Sequence, residues 1–80
     1  MEAPLQDVIT LPPSVRTIGD NAFRWCGNLK ELHIKSRPTT LTNIGNYISD
    51  YENVTLYIPK GTYDEYYLTP LGKFKTIVEE

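Results

Sequence analysis

The chain has 80 residues, with eight basic and ten acidic side chains and a formal net charge of −2. This length limits it to one domain, near the lower size at which chains fold without disulfides or metals. The charges form no block of one sign and no apolar stretch reaches the roughly 20 residues that cross a bilayer, so we predict neither nucleic-acid binding nor a membrane-spanning segment. Residues 1–7 contain neither a basic nor an apolar stretch, so we expect no secretion signal in this chain.

Short apolar triplets recur along the chain with steps of 23 and 24 residues, at positions 9–11, 32–34 and 56–58. A period of this length is typical of a solenoid, in which each unit is a strand plus a return segment stacked on its neighbour. We therefore predict an α/β fold, a short solenoid of stacked parallel strands. Its predicted parts are a first unit at residues 8–31, a second at 32–55, and a third strand with a helix-and-strand cap at 56–80.

The first unit begins with the strand at residues 9–11, which ends at Pro12 because proline lacks the backbone donor that a sheet requires. Asp20 and Asn21 predict one helical turn after it, since their side chains can accept hydrogen bonds from the free amides of a helix N-terminus. The single cysteine can form no intrachain disulfide and is interpreted as a small buried hydrophobe. The residues of this turn that we expect to face the strand are Ala22, Phe23 and Cys26.

The second unit repeats this plan with changes. Residues 36–40 lengthen the loop and are predicted to bulge. Farther along the chain, Ile48 takes the place of Ala22, and Tyr51 lies near the position equivalent to that of the cysteine. The positions that correspond to Val15, Ile18 and Gly19 are, in order, Leu41, Ile44 and Gly45.

The C-terminal part has signals for a helix and a strand. Thr62 and Glu65 have the spacing of a capping box, in which each side chain accepts a hydrogen bond from the other residue's backbone. This predicts a helix from about residue 63 to residue 68, which Pro70 ends. Residues 74–78 alternate in polarity and are rich in β-branched side chains, which predicts a terminal strand that closes the stack.

The two edges of the predicted sheet differ in protection. Glu79 and Glu80 are expected to discourage pairing beyond the terminal strand, because charged residues at a sheet edge oppose the addition of another strand. The strand at residues 9–11 has no such protection. We therefore predict that self-association with another chain would use this open N-terminal edge.

The pattern of the first unit resembles one repeat of the BspA-like leucine-rich repeats. The matching positions are Ile9, Leu11, Pro12, Ser14, Val15, Ile18, Gly19, Ala22, Phe23, Cys26, Leu29, Leu32 and Ile34. Residues 56–62 and 74–79 resemble the C-terminal end of such arrays, whereas the second unit lacks the Ala-Phe and Cys signature and residues 70–72 depart from the usual Gly-Trp pair. The resemblance implies a cell-surface or secreted bacterial protein that adheres to an extracellular protein or glycan, with no enzyme activity and no cofactor.

Alternation along stacked strands predicts which side chains line the outer face of the sheet, because successive residues point to opposite sides. The central column of that face is Thr10, His33 and Tyr57, flanked by Glu31 and Lys35. Solenoids commonly bind partners on such a face, so these five residues are the candidate ligand contacts. The alternative is a solvated strand face in a segment that only caps the array.

The residues give little support to a metal site, to catalysis or to carbohydrate binding by tyrosines. His33 is the only histidine, and it has no neighbouring His or Cys with metal-ligand spacing and no activated nucleophile, so we predict neither a metal site nor catalysis. Tyrosine faces can bind carbohydrate, but Tyr63, Tyr66 and Tyr67 follow the i, i+3, i+4 spacing of a buried helix face, which favours core packing. Trp25 is expected at the flank or surface, as a contact residue or as cover for the next unit.

Overall fold

The computed structural model describes residues 7–23 and 28–80. Within these ranges, one α-helix, α1 (Tyr63–Tyr67), and one 3₁₀-helix, Pro70–Lys73, lie between the last two strands. The strands are β1 (Val8–Leu11), β2 (Thr17–Ile18), β3 (Glu31–Ile34), β4 (Asn43–Ile44), β5 (Thr55–Ile58) and β6 (Thr76–Glu79). The expectations for Trp25 and Cys26 lie outside the described residues.

Four strands form a parallel sheet in the order β1-β3-β5-β6. One row of register partners crosses the whole sheet, from Ile9 to Leu32, Leu56 and Ile77. The short strands β2 and β4 form a second parallel pair, in which Ile18 lies opposite Ile44 as the sequence equivalence predicts. The predicted strands at 9–11, 32–34 and 56–58 are thus confirmed, and the protein is a small α/β structure with a parallel sheet and few helices.

The core lies on one side of this sheet. Alternation turns Leu32 and Ile34 of β3, and Leu56 and Ile58 of β5, toward it, and all four are at most 1% exposed. The register partners of Leu32 and Ile34 on β1 are only half-buried, because within the described chain β1 has a strand neighbour on one side only. Other buried apolar residues that complete the core are Ile18, Leu29, Leu41, Ile48, Val54, Tyr66, Leu71 and Phe74.

The turn after β2 differs from the prediction. Asn21 has a φ of 59°, which is left-handed and does not begin a helix, and Ala22 is exposed, so the expectation that Ala22 faces the strand is wrong. Phe23 is half-buried against the core, as expected. The turn bonds instead to the second unit: the Phe23 amide donates to the Ile48 carbonyl at 2.7 Å, and Asp20 Oδ1 accepts from the Asn46 amide at 2.8 Å. Asp20 therefore links two layers of the chain.

The helix α1 confirms the predicted position to within one residue, but its predicted cap is wrong. Thr62 makes no side-chain cap bond; its hydroxyl donates to the Pro59 carbonyl at 2.6 Å. The N-terminal end of α1 is bound instead by Glu79 of β6, whose Oε2 accepts from the amides of Gly61, before the N-cap, at 2.5 Å and of Tyr63 at 3.4 Å. The carboxylate at the start of α1 is thus that of Glu79, which is distant in sequence, and not that of Glu65.

Tyrosines of α1 and the start of β6 also depart from expectation. Only Tyr66 is buried in the core, whereas Tyr63 and Tyr67 are 39% and 56% exposed and stack on each other with ring centroids 5.7 Å apart. The core-packing prediction is therefore right for Tyr66 and wrong for the other two. Strand β6 begins at Thr76 rather than at residue 74, and Phe74 contributes to the core from the end of the 3₁₀-helix.

Ser36 lies at the start of the loop that the sequence predicts to bulge, yet it is fully buried. Its hydroxyl is placed to donate to the carbonyls of Pro12 at 3.0 Å and Val15 at 2.9 Å, and its own carbonyl accepts from the Tyr66 hydroxyl. Burial raises the pKa of Tyr66 to about 12, with Glu65 adding to the effect, so this phenol remains a donor at neutral pH. Ser36 thus joins the loop after β1, its own loop and α1.

Candidate binding face of the parallel sheet

The outer face of the sheet brings the predicted column together. Thr10 lies opposite His33, and His33 lies opposite Tyr57, on three adjacent strands. The rings of His33 and Tyr57 are stacked, with centroids 4.2 Å apart and planes inclined by 2°. Thr10 is exposed at the β1 end of the row, and the two rings are half-buried. We call the surface formed by Thr10, Glu31, His33, Lys35 and Tyr57 the outer face.

His33 is held between two carboxylates. Its Nε2 lies 2.8 Å from Glu31 Oε1, and its Nδ1 lies 3.1 Å from Glu80 Oε2. A neutral imidazole has one N–H, so only the doubly protonated ring can donate to both acceptors. Burial by itself lowers the pKa of His33, but the hydrogen bonds to Glu31 and Glu80 outweigh it and raise that pKa above its ordinary value.

Glu80 is the neighbour of the candidate contact residues that the sequence interpretation missed. Its carboxylate reaches past β5 to His33 and also accepts from Lys35 Nζ at 2.8 Å. The hydrogen bonds from Lys35 and then from His33 lower the pKa of Glu80. Alternation along β6 was the available signal: Val78 lies opposite Tyr57, so residue 80 falls on that same face.

Glu79 and Glu80 have different roles because they point to opposite sides of the sheet. Glu79 lies opposite Ile58 and binds the first turn of α1, whereas Glu80 joins the outer face. The sequence interpretation gave both the single role of guarding an edge. In the structure, each carboxylate has its own hydrogen-bond donors.

Charged groups of both signs meet where Glu80 joins the outer face. Glu31 and Glu80 are acidic, Lys35 is basic, and His33 is basic when its ring is doubly protonated. These groups are partly solvated, with side-chain exposures of 17% for His33, 31% for Glu80 and 47% for Lys35. Exposed ion pairs of this kind contribute little to stability, so the network fixes the positions of these side chains more than it stabilises the fold.

A recess elsewhere on the surface, which the sequence did not indicate, has a volume of about 560 Å³. Its Asp50 carboxylate accepts from the Asn53 side chain and the Glu52 amide, and these bonds lower the pKa of Asp50. Lys73 Nζ lies 5.9 Å from the centroid of the Tyr47 ring at its border. The recess is lined by Tyr47, Ser49, Asp50, Tyr51, Glu52 and Lys73. It is open to solvent and shares no residue with the outer face.

Over residues 7–23 and 28–80, no group of three His, Cys, Asp or Glu side chains is arranged to hold a metal ion. None of the helices in these ranges has the length and apolar character needed to cross a membrane. Comparison with models of protein families, with curated proteins and with solved structures finds no significant match. Function must therefore be argued from the geometry of the outer face.

Proposed function

We propose that this chain is a non-enzymatic binding module of the BspA-like leucine-rich repeat type. In this proposal, it belongs to a surface or secreted bacterial protein, and its outer face contacts an extracellular protein or glycan. The observation that carries the proposal is the row Thr10, His33 and Tyr57, which lies in register across three parallel strands. A row of this kind gives a partner a regular ladder of side chains to contact.

Two features support the solenoid part of the proposal. The strands of the main sheet neighbour one another in sequence order, and all of them are parallel. The second pair, β2 with β4, is also parallel and lies at equivalent positions of the two predicted units. Each strand is thus followed by a return segment that starts the next strand beside it, which is what stacked units require.

The bonding of His33 supports a non-enzymatic role. A histidine acts as a general base only through a nitrogen with a free lone pair. Both ring nitrogens of His33 face carboxylates, which favours protonation of both, and the doubly protonated ring has no lone pair for the neighbouring Thr10 hydroxyl. This arrangement suits a fixed contact residue better than a proton acceptor.

A second candidate function is a purely structural cap, and one observation favours it. Glu80 follows the last strand and occupies the donors of His33 and Lys35 on the outer face. A face whose charges are satisfied within the chain needs no partner. This alternative predicts that the chain binds no glycan and no extracellular matrix protein. It also predicts that Leu71→Ala, which opens the buried C-terminal part of the core, promotes aggregation, as measured by light scattering.

The test is a binding assay on arrayed glycans and immobilised extracellular matrix proteins. A variant with Thr10→Ala, His33→Gln and Tyr57→Leu should lose at least about tenfold in affinity for any probe that the chain binds, because central contact residues carry most of the binding energy. The assay would contradict the proposal if this variant bound as well as the original chain.

A matched control keeps the number of substitutions equal on another surface. It uses Arg16→Gln, Thr39→Ala and Thr42→Ala, whose side chains border a separate recess of about 230 Å³. This control should bind as the original chain does. An equal loss in both variants would show that binding depends on stability rather than on the outer face.

A further inference from the structure

The carboxylate of Glu80 occupies a small site on the outer face. Its Oε2 lies 3.1 Å from His33 Nδ1 and 2.8 Å from Lys35 Nζ, so two nitrogens of different residues point at one oxygen. The other carboxylate oxygen lies 3.2 Å from the same imidazole nitrogen. Charge-assisted donors that converge in this way are how proteins recognise carboxylates.

We propose that His33 and Lys35 form a carboxylate-binding site, which Glu80 fills in the free chain and which a carboxylate of the partner takes over on binding. This inference rests on the proposed function of the outer face and adds the chemical class of its ligand. Glu80 then acts as an internal competitor that weakens binding of the partner.

Glu80 is anchored by its backbone and not by its carboxylate. Its amide donates to the Ile58 carbonyl at 2.9 Å, and its carbonyl accepts from the Lys60 amide at 3.1 Å. The carboxylate can therefore leave the site by side-chain rotation while the end of β6 keeps its pairing. Its partial exposure, 31%, gives an incoming carboxylate access to the same donors.

The remaining neighbours prepare the site for an anion. Glu31 accepts from Nε2 of His33 and so favours the doubly protonated ring, in which Nδ1 is also a donor. Tyr57 stacks on the ring and fixes its plane. The donors are thus oriented before the ligand arrives, which reduces the ordering that binding requires. The carboxylate could come from an acidic sugar or from an acidic side chain of a peptide.

The experiment uses Glu80→Gln, which keeps the size of the side chain but removes its charge. His33 is the only histidine, so its ring signals in a proton NMR spectrum identify the site without further assignment. The probes are glucuronate, with glucose as its neutral match, and N-acetylglutamate amide, with N-acetylglutamine amide as its match. Glu52→Gln serves as the control variant, since it removes one charge from an exposed residue outside the outer face.

Saturable shifts of the His33 signals with the acidic probes, and none with the neutral ones, support the site in Glu80→Gln. The original chain and Glu52→Gln should bind the same probes about tenfold more weakly, because Glu80 competes at a high effective concentration. Adding Lys35→Gln to Glu80→Gln should weaken binding again. Tighter binding of glucuronate would indicate a sugar acid as the ligand, and tighter binding of N-acetylglutamate amide would indicate an acidic peptide.

Two results would overturn the inference. One is the absence of a saturable shift in Glu80→Gln; the other is equal affinity in Glu80→Gln and the original chain. Should Glu80→Gln fail to fold, excess acidic probe must still shift the His33 signals of the original chain, and no shift there rejects the site. Loss of array binding by the Thr10, His33 and Tyr57 variant, without carboxylate binding, would reject this inference and leave the proposed function standing.

Discussion

Leu11 and Ile34 are register partners on neighbouring strands, yet Ile34 is 1% exposed and Leu11 is only half-buried. Ile9 and Leu32 show the same contrast. The first unit, at residues 8–31, is closer to the pattern that the sequence resembles than the second unit, at 32–55, but its described residues are the less buried of the two. In the described part of the chain, β3 lies between two strands and β1 beside one, so burial follows a strand's neighbours and not the regularity of its sequence.

The largest expected effect tests this contrast directly with the same substitution in both units. Leu32→Ala should lower the free energy of unfolding by about 3 kcal/mol, because it leaves a cavity in the fully buried core. Leu11→Ala should lower it by about 1 kcal/mol, because that side chain is only partly buried. Urea unfolding monitored by circular dichroism measures both values. Equal losses would refute the contrast between the units.

Glycines at equivalent positions should also differ. A Cβ on Gly45 would lie 2.5 Å from the Asp20 amide nitrogen and 2.7 Å from the Gly19 carbonyl carbon, whereas a Cβ on Gly19 meets nothing within 4 Å. Gly45→Ala should therefore destabilise the protein by about 2 kcal/mol, since the backbone of the first unit must move. Gly19→Ala should stay within about 0.5 kcal/mol of the original chain. Thermal unfolding of the two variants measures this difference. A neutral Gly45→Ala would count against close contact between Gly45 and the backbone of the first unit.

A smaller effect should come from the hydrogen bonds that Ser36 makes to the first unit. Ser36→Ala removes a buried hydroxyl from the carbonyls of Pro12 and Val15, which should cost about 1 kcal/mol in unfolding free energy. Ser14→Ala is the control, because Ser14 is an exposed serine in the first unit. If the two variants unfold at the same urea concentration, Ser36 is not a structural link between the units.

The smallest effect is a dependence on pH at the outer face. The pKa of His33 is raised in the folded protein, so its stabilising contribution is complete below the ordinary histidine pKa and is lost as pH rises through the folded-state value. The free energy of unfolding should fall slightly between about pH 6 and about pH 8. In His33→Gln this fall should vanish. An unchanged pH dependence in that variant would assign the effect to other groups.

Much of the sheet was predictable because its signals are local. The apolar triplets and their alternation identified three strands, their inward residues and the row Thr10, His33 and Tyr57. The helix near residue 63 was also located correctly, since Pro70 and the preceding polar residues mark its limits. Each of these inferences needed only neighbouring residues along the chain.

The errors concern carboxylates whose hydrogen-bond donors lie far away along the chain. The capping box assigned Glu65 to the Thr62 amide, but that amide donates to the Pro59 carbonyl, and Glu79 of β6 accepts from the amides of Gly61 and Tyr63 on either side. Asp20 was expected to cap its own turn, but it accepts from Asn46 in the second unit. Glu80 was interpreted as an edge charge and instead completes the candidate site. Alternation along β6 could have placed Glu80 on the outer face, but no local pattern identifies the donors that these three carboxylates bind.

The sequence by itself determined the parallel strands, the side of the sheet on which each residue lies and the identity of the outer row, because side chains alternate with a period of two wherever a strand forms. Only the tertiary structure decided how deeply each unit is buried and which carboxylate meets which donor. Those outcomes depend on distances between segments far apart in the chain, which are set when the layers pack and not by the order of neighbouring residues.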